Sequence, residues 1–367
     1  MIRAFIREEW FLGVSLTTIL IFSLFGDALY GLQENPAGLA LVFVWLFAVV
    51  LGSCLNVVRH ADGLAEIFGE PYGTLVLTLS VTTIEVLSIS AVMLHGANNP
   101  TLVRDTLFSV IMVILGGMAG VSLLVGGWRH REQSYNLQGA NSYLGVIIPL
   151  AVLSLTLPNF TTTTRGPTLS SAQQMFITVM CAGLYCAFLA LQTGRHKLYF
   201  TMAEQEGHAQ AAAEHRGHSL PRHAVLLLAY MLPVALLAEE LARPIDYLIE
   251  TLHAPQALGG VVIAIIVATP EAVGALRAAL RNRLQLAVNI FLGSVLSTIG
   301  LTVPVMLIIS HVTAHSILLG LSGANDVLLL LTLAVSIVTF SSGRTNILQG
   351  AVHLVLFLAF VMLIFQA

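Results

Sequence analysis

Two glutamates sit where charge is expensive. The stretch GGVVIAIIVATPEAVGALRAAL, Gly259 to Leu280, carries one carboxylate, Glu271, near its middle. The stretch GTLVLTLSVTTIEVLSISAVML, Gly73 to Leu94, also holds one, Glu85. Each stretch is long enough to cross a bilayer as a helix, and a charge at the bilayer centre costs at least about 2.5 kcal/mol. Such acids either pair inside a bundle or act on a passing ion. Two carboxylates can hold a metal cation through their oxygens, or they can hold protons. Sharing a low-dielectric site they repel each other, so cation and proton compete for the same oxygens. Thr82, Thr83 and Thr269 add hydroxyl oxygens beside the acids. Oxygen-only ligation suits Ca²⁺, Na⁺ or K⁺ rather than a soft metal. Pro270 removes a backbone N–H directly before Glu271, which predicts a bend or opening that frees further carbonyls.

The two stretches repeat one another. Twelve residues separate Gly73 from Glu85, and twelve separate Gly259 from Glu271. A threonine lies two positions before each acid, and Asp62, Glu66 and Pro71 repeat the spacing of Asp246, Glu250 and Pro255. Together these matches predict an internal repeat.

Elements that could position two buried acids are set by composition. Of 367 residues, 57% are hydrophobic and 10% are charged, whereas soluble domains carry about 25% charged residues. Apolar runs long enough to span recur along the chain, without β-barrel alternation. The class is therefore an all-α polytopic membrane protein, with the lipid bilayer as its first partner. No cleavable signal peptide is evident, and a net charge of −3 gives no reason to expect nucleic acid. Cys54, Cys181 and Cys186 lack metal spacing and read as packed thiols.

Eleven spans are predicted, at about Trp10–Tyr30, Ala37–Val58, Pro71–His95, Arg104–Gly127, Asn141–Pro158, Ser171–Thr193, Arg222–Ala242, Ala257–Leu280, Gln285–Ser310, Asn325–Phe340 and Asn346–Phe365. With the N-terminus inside, thirteen of the sixteen lysines and arginines fall on the cytoplasmic side, so the N-terminus is assigned to the cytoplasm and the C-terminus outside. The organisation is an extra N-terminal helix (1–36), a first five-helix repeat (37–193), a His/Glu-rich linker (194–221) and a second five-helix repeat (222–367). Five is odd, so the second repeat enters the membrane from the opposite face, as in many secondary transporters. Glu85 and Glu271 are then expected to face each other near the midplane.

Other residues join the candidate set. Asn289, Ser294 and Ser297 follow the second acid and offer amide and hydroxyl oxygens, or ordinary interhelical packing. Asp105 lies at a helix start, where solvation is expected. His353 offers a proton relay, against the plainer reading of a hydrogen-bonded structural histidine. His208, His215 and His218 in the linker are candidates for a pH or cation sensor, against the plainer reading of a solvated linker.

The runs GEPYGTLVLTLSVTTIEV, ATPEAVGAL, NIFLGSVLSTIGLTVPV and FSSGRTNILQGAVHLVLF resemble the calcium/cation antiporter superfamily. Within it the chain is similar to the cation/proton exchanger branch, and most to the bacterial ChaA-type calcium/sodium/potassium–proton antiporters. The resemblance implies a ten-helix core of two inverted repeats with one essential acid in each, falling on Glu85 and Glu271. It also implies an acid near the cation path at Glu239-Glu240, a candidate gate, against the plainer reading of a solvated outer-interface position. Where many members carry Gly-Asn before each acid, this chain has Val81-Thr82 and Val267-Ala268, which leaves ion selectivity open. The function expected is exchange of Ca²⁺, Na⁺ or K⁺ for protons in a bacterial inner membrane, with no cofactor and with homo-oligomerisation left open. No GxxxxGK[ST] run suggests a built-in ATPase. The alternative from another class is a passive cation channel using the same acids as a selectivity ring. An intramembrane protease of the aspartyl kind is less suited, because the acids are glutamates.

Overall fold

The computed structural model describes residues 7–32, 35–68, 72–95, 99–164, 166–200 and 220–366. The apolar runs become helices because lipid leaves backbone N–H and C=O groups no partner outside their own segment. In chain order the helices are α1 Trp10–Gly31, α2 Pro36–Phe68, α3 Tyr72–His95, α4 Leu102–His130, α5 Leu137–Asn159, α6 Ser171–Thr193, α7 Leu220–Thr251, α8 Ala257–Leu280, α9 Leu284–Thr313, α10 Gly323–Thr339 and α11 Ile347–Ile364. All except α10, at 17 residues, are long and apolar enough to cross a membrane. The all-helical polytopic class and the count of about eleven are as the sequence predicts.

Helix ends differ from the predicted ones for a physical reason. α2 continues from the predicted Val58 to Phe68, and α7 from Ala242 to Thr251. An apolar run marks only the part that lipid must cover. Beyond it Ala61 and Leu64 are still buried, and one buried stripe is enough to hold an amphipathic helix.

The helix does not open at Pro270. α8 runs as continuous helix from Ala257 to Leu280 with Pro270 inside it, because neighbouring groups in a membrane bundle can absorb one lost hydrogen bond. The irregularity lies elsewhere. π-helical turns occupy Met112–Met118 in α4, Val152–Thr156 in α5, Tyr247–Thr251 at the end of α7 and Thr298–Thr302 in α9. Met112 lies 27 residues after Glu85, and Thr298 lies 27 after Glu271. Such turns are frequent at functional sites.

The helices divide into two compact units, residues 1–99 with 217–269 and residues 100–216 with 270–367. In the first unit α2, α3 and α7 pack on one another, and α1 lies against α2 and α7. Val42, Leu46, Val50 and Val57 of α2 and Tyr230, Val234 and Leu237 of α7 are buried there. The Ser15 and Ser53 hydroxyls, 2.9 Å apart, join α1 to α2.

In the second unit α11 packs along α4, and α9 packs against α4, α5 and α6. Backbones come close at Gly350, where an added Cβ would stand 2.3 Å from Leu124 N and 2.8 Å from Gly120 O. Only a glycine lets α11 approach α4 so nearly, the small-residue packing expected where no hydrophobic force drives helices together. Two short strands, β1 Glu132–Ser134 and β2 Arg344–Asn346, pair antiparallel with Gln133 opposite buried Thr345. Asn136, just after β1, and Asn346, the last residue of β2, are caps, each accepting from two backbone N–H groups of α5 and α11 respectively. Cys54 and Cys181 are buried thiols, but Cys186 is exposed. It lies on the outer side of an apolar helix, a position that hydropathy alone does not distinguish.

Candidate functional site

Glu85 projects from α3 and is 1% exposed, within the first unit. Thr82 and Ser88 precede and follow it by three residues, at 5% and 2% exposure. Helical geometry puts residues at that spacing on one side of the helix. Among the described residues neither the Thr82 nor the Ser88 hydroxyl has a hydrogen-bond partner. Thr83 differs, being exposed with its hydroxyl donating to the Leu79 carbonyl at 2.7 Å.

Glu271 is half-buried on α8, within the second unit. Buried Ser294 of α9 donates its hydroxyl to Glu271 Oε2, so the acid and one of its predicted partners do meet. A hydroxyl donating to a charged carboxylate makes a stronger bond than one between neutral groups. Ser297 Oγ donates to the Ser294 carbonyl at 2.9 Å and steadies that turn. Thr269 turns its hydroxyl back to the Ile265 carbonyl at 2.5 Å. Asn289 donates to the Phe200 carbonyl at 2.7 Å and accepts from Gln285 Nε2 at 2.8 Å. Its amide is thus occupied in holding the chain that follows α6.

The end of the Glu271 helix is anchored. Gln133 Nε2 donates to the Ala279 carbonyl at 2.9 Å and to Asn282 Oδ1 at 3.0 Å. His130 Nε2 lies 3.0 Å from the Leu280 carbonyl. Terminal helix carbonyls need such partners, and here they come from the turn that β1 stiffens.

The candidate gate pair is unequal. Glu239 is exposed, while Glu240 Oε2 accepts from the Tyr30 hydroxyl at 2.5 Å. The Arg243 guanidinium lies 4.7 Å from the centre of the Tyr30 ring and 4.0 Å from Glu240 Oε2. α1, the helix extra to the two repeats, thereby holds the second acid of that pair. His208, His215 and His218 lie outside the described residues.

Charged groups the sequence reading overlooked or misplaced are also visible. Glu9, 5% exposed, accepts from Arg59 Nη2 at 2.5 Å and from the Tyr230 hydroxyl at 3.2 Å, with His60 Nε2 at 3.3 Å. His60 and His223 bring their Nδ1 atoms to 3.1 Å, and Arg222 reaches Glu8 and Glu9. The signal was a Glu-Glu pair opening the first apolar run and an Arg-His pair closing the second. Asp105 is buried rather than solvated, bonded to Arg104 Nε at 2.9 Å and Thr101 Oγ1 at 2.8 Å. A neighbouring guanidinium lets a carboxylate leave water at a helix start. Asp326 of α10 is buried too and accepts from Thr156 Oγ1 at 2.6 Å. His353 is fully buried with Nε2 3.0 Å from the Thr339 hydroxyl, the structural role read from its sequence position.

Helices long and apolar enough to cross a membrane, ten of them among the described residues, define an integral membrane protein. The chain belongs to the sodium/calcium exchanger protein family, which matches residues 38–194 and 222–366. It is 38% identical over 363 residues to the sodium-potassium/proton antiporter ChaA of Escherichia coli (strain K12), covering 98% of this chain and 97% of that one. It is 23% identical over 325 residues to the Ca(2+)/H(+) antiporter ChaA of Bacillus subtilis (strain 168), covering 87% and 90% of the two chains. Its fold is similar to the solved structure of native YfkE, with a TM-score of 0.73 at 21% identity over 97% of this chain and all of that one.

Proposed function

We propose that this protein is a secondary active antiporter that moves Ca²⁺, Na⁺ or K⁺ across a bacterial inner membrane in exchange for protons. Glu85 and Glu271 are the groups that take cation and proton by turns near the midplane, and alternating access to them couples the two flows. No cofactor is needed, since the proton gradient supplies the drive. The observation carrying this reading is one acid on each of two sequence-matched helices, each with a neighbouring hydroxyl oxygen, Thr82 for Glu85 and Ser294 for Glu271. Family membership and the antiporter names of the relatives support it. Purified protein in liposomes is expected to release protons from the lumen when Ca²⁺, Na⁺ or K⁺ is added outside, and to drive the cation uphill on an imposed pH gradient. Purely downhill cation flow that ignores the proton gradient would overturn the reading in favour of a channel.

The same proposal fixes an orientation. Positive-inside bias puts the turn after α8 in the cytoplasm and the C-terminus outside. In a background with Cys54, Cys181 and Cys186 changed to serine, a cysteine replacing exposed Arg281 is expected to resist an impermeant thiol reagent in intact cells. One replacing exposed Gln366 is expected to react. The reverse pattern would contradict the inverted arrangement of the repeats.

A further inference from the structure

Ser88 has no role in the reading so far, yet its hydroxyl is buried without a hydrogen-bond partner among the described residues. Among the described residues, Thr82 and Ser122 are the other buried serine or threonine hydroxyls in that condition, and Ser122 lies on α4, not on the helix of Glu85 or of Glu271. The buried hydroxyls of Ser53, Ser80, Thr106, Ser109, Thr332 and Ser336 all donate to the carbonyl four residues back. This bond is the ordinary refuge of a helical serine or threonine, and it lies within reach of Ser88 at Ile84. A buried hydroxyl left unbonded is a cost. On α3 the cost is borne twice, by Thr82 and Ser88, at the same spacing on either side of Glu85. At about 100° per residue the three side chains fan over roughly 120° of the helix. They form a ladder of three oxygen-bearing groups with the carboxylate in the middle.

The second repeat lacks this ladder. Three residues before and after Glu271 stand Ala268 and Gly274, which offer no side-chain oxygen. Neutral oxygens on the two acid-bearing helices are therefore unequal. We propose that Ser88 is a cation ligand, and that with Thr82 it makes α3 the helix supplying neutral oxygens to a partly dehydrated alkali or alkaline-earth cation. The ion fills the bonding capacity that the protein leaves open. The inference rests on the exchange reading above.

Ser88→Ala separates this role from a structural one. Deleting an unbonded buried hydroxyl removes a cost from the empty protein, so the cation-free melting temperature of the purified full chain should not fall. The rise in melting temperature on adding Na⁺, K⁺ or Ca²⁺ chloride, each alone, should shrink, because less binding energy is coupled to folding. In liposomes the apparent KM for the cation should rise about tenfold, the effect of one lost contact to a charged group, with the maximal rate retained. Ser80→Ala, whose hydroxyl is already bonded to the Val76 carbonyl at 2.7 Å, should leave KM and the cation-induced shift unchanged. An unchanged KM in Ser88→Ala, a lower cation-free melting temperature, or an equal KM effect from Ser80→Ala would each overturn the role of Ser88 while wild-type exchange stands. Wild-type protein that exchanges no cation for protons would overturn the underlying reading instead.

Discussion

Glu85→Gln and Glu271→Gln are each expected to lower cation/proton exchange at least about 100-fold in liposomes, the consequence of losing ~3 kcal/mol of interaction between a carboxylate and its ion. Glutamine keeps the shape and removes both the charge and the titratable proton. At position 271 its carbonyl oxygen can still accept from Ser294, so the contact joining α8 to α9 survives. At position 85 it is nearly isosteric with a side chain 1% exposed. Both variants should therefore insert and purify as wild type does, which a size-exclusion profile checks. Aspartate at either position keeps the charge with a shorter reach and should retain part of the activity. Wild-type exchange by either glutamine variant would remove that acid from the mechanism.

The second large effect is on pH. A protonated carboxyl is a poor cation ligand, so apparent cation affinity must fall as pH falls. If binding displaces one proton, affinity changes by about tenfold per pH unit across the range where the acid titrates. If a divalent ion needs both acids ionised, the limit is about 100-fold per unit. Isothermal titration with Ca²⁺ and with Na⁺ over a series of pH values measures both slopes, and the steeper one is expected for Ca²⁺. The histidine-rich linker offers a rival source of the same trend, since histidine titrates near pH 6.5. Deleting residues 204–219 separates the two. Dependence that survives the deletion belongs to the membrane acids. Dependence that disappears while exchange continues assigns it to the linker and removes the shared-site mechanism.

Much of this was legible in the sequence because membranes make some signals loud. An acid in an apolar run is rare, so Glu85 and Glu271 identify themselves, and their equal spacing from Gly73 and Gly259 exposes the repeat. Helix number follows from apolar runs in the same way. Features set by hydrogen-bond register were silent. The π turns at Met112–Met118 and Thr298–Thr302 have the composition of ordinary helix, and the strands at 132–134 and 344–346 are too short to show a period of two. Pro270 opens no gap in α8, because neighbouring groups in a bundle can make up one lost backbone hydrogen bond, which the sequence around it does not show. Hydroxyl assignments by nearness in sequence also fell short. Thr83 is close to Glu85 along the chain, but two residues are about 200° around a helix, and its side chain is exposed. Thr82 and Ser88, three residues before and after, are the residues that rotation brings to the acid's side.

The cluster around Glu9 bears on how the protein is made. Arg59 and His60 leave the ribosome soon after Glu9, but His223 follows His60 by 163 residues. At a synthesis rate of roughly 5–20 residues per second that interval is about 10–30 s. During it the first two helices have only half of the polar partners that surround Glu9 in the finished unit. Arg222 and Tyr230 arrive with α7, the opening helix of the second repeat, and complete the set around the carboxylate. α1 can thus meet α2 early through Ser15 and Ser53, but a nascent chain shorter than about α7 holds a carboxylate that still lacks half of its polar partners.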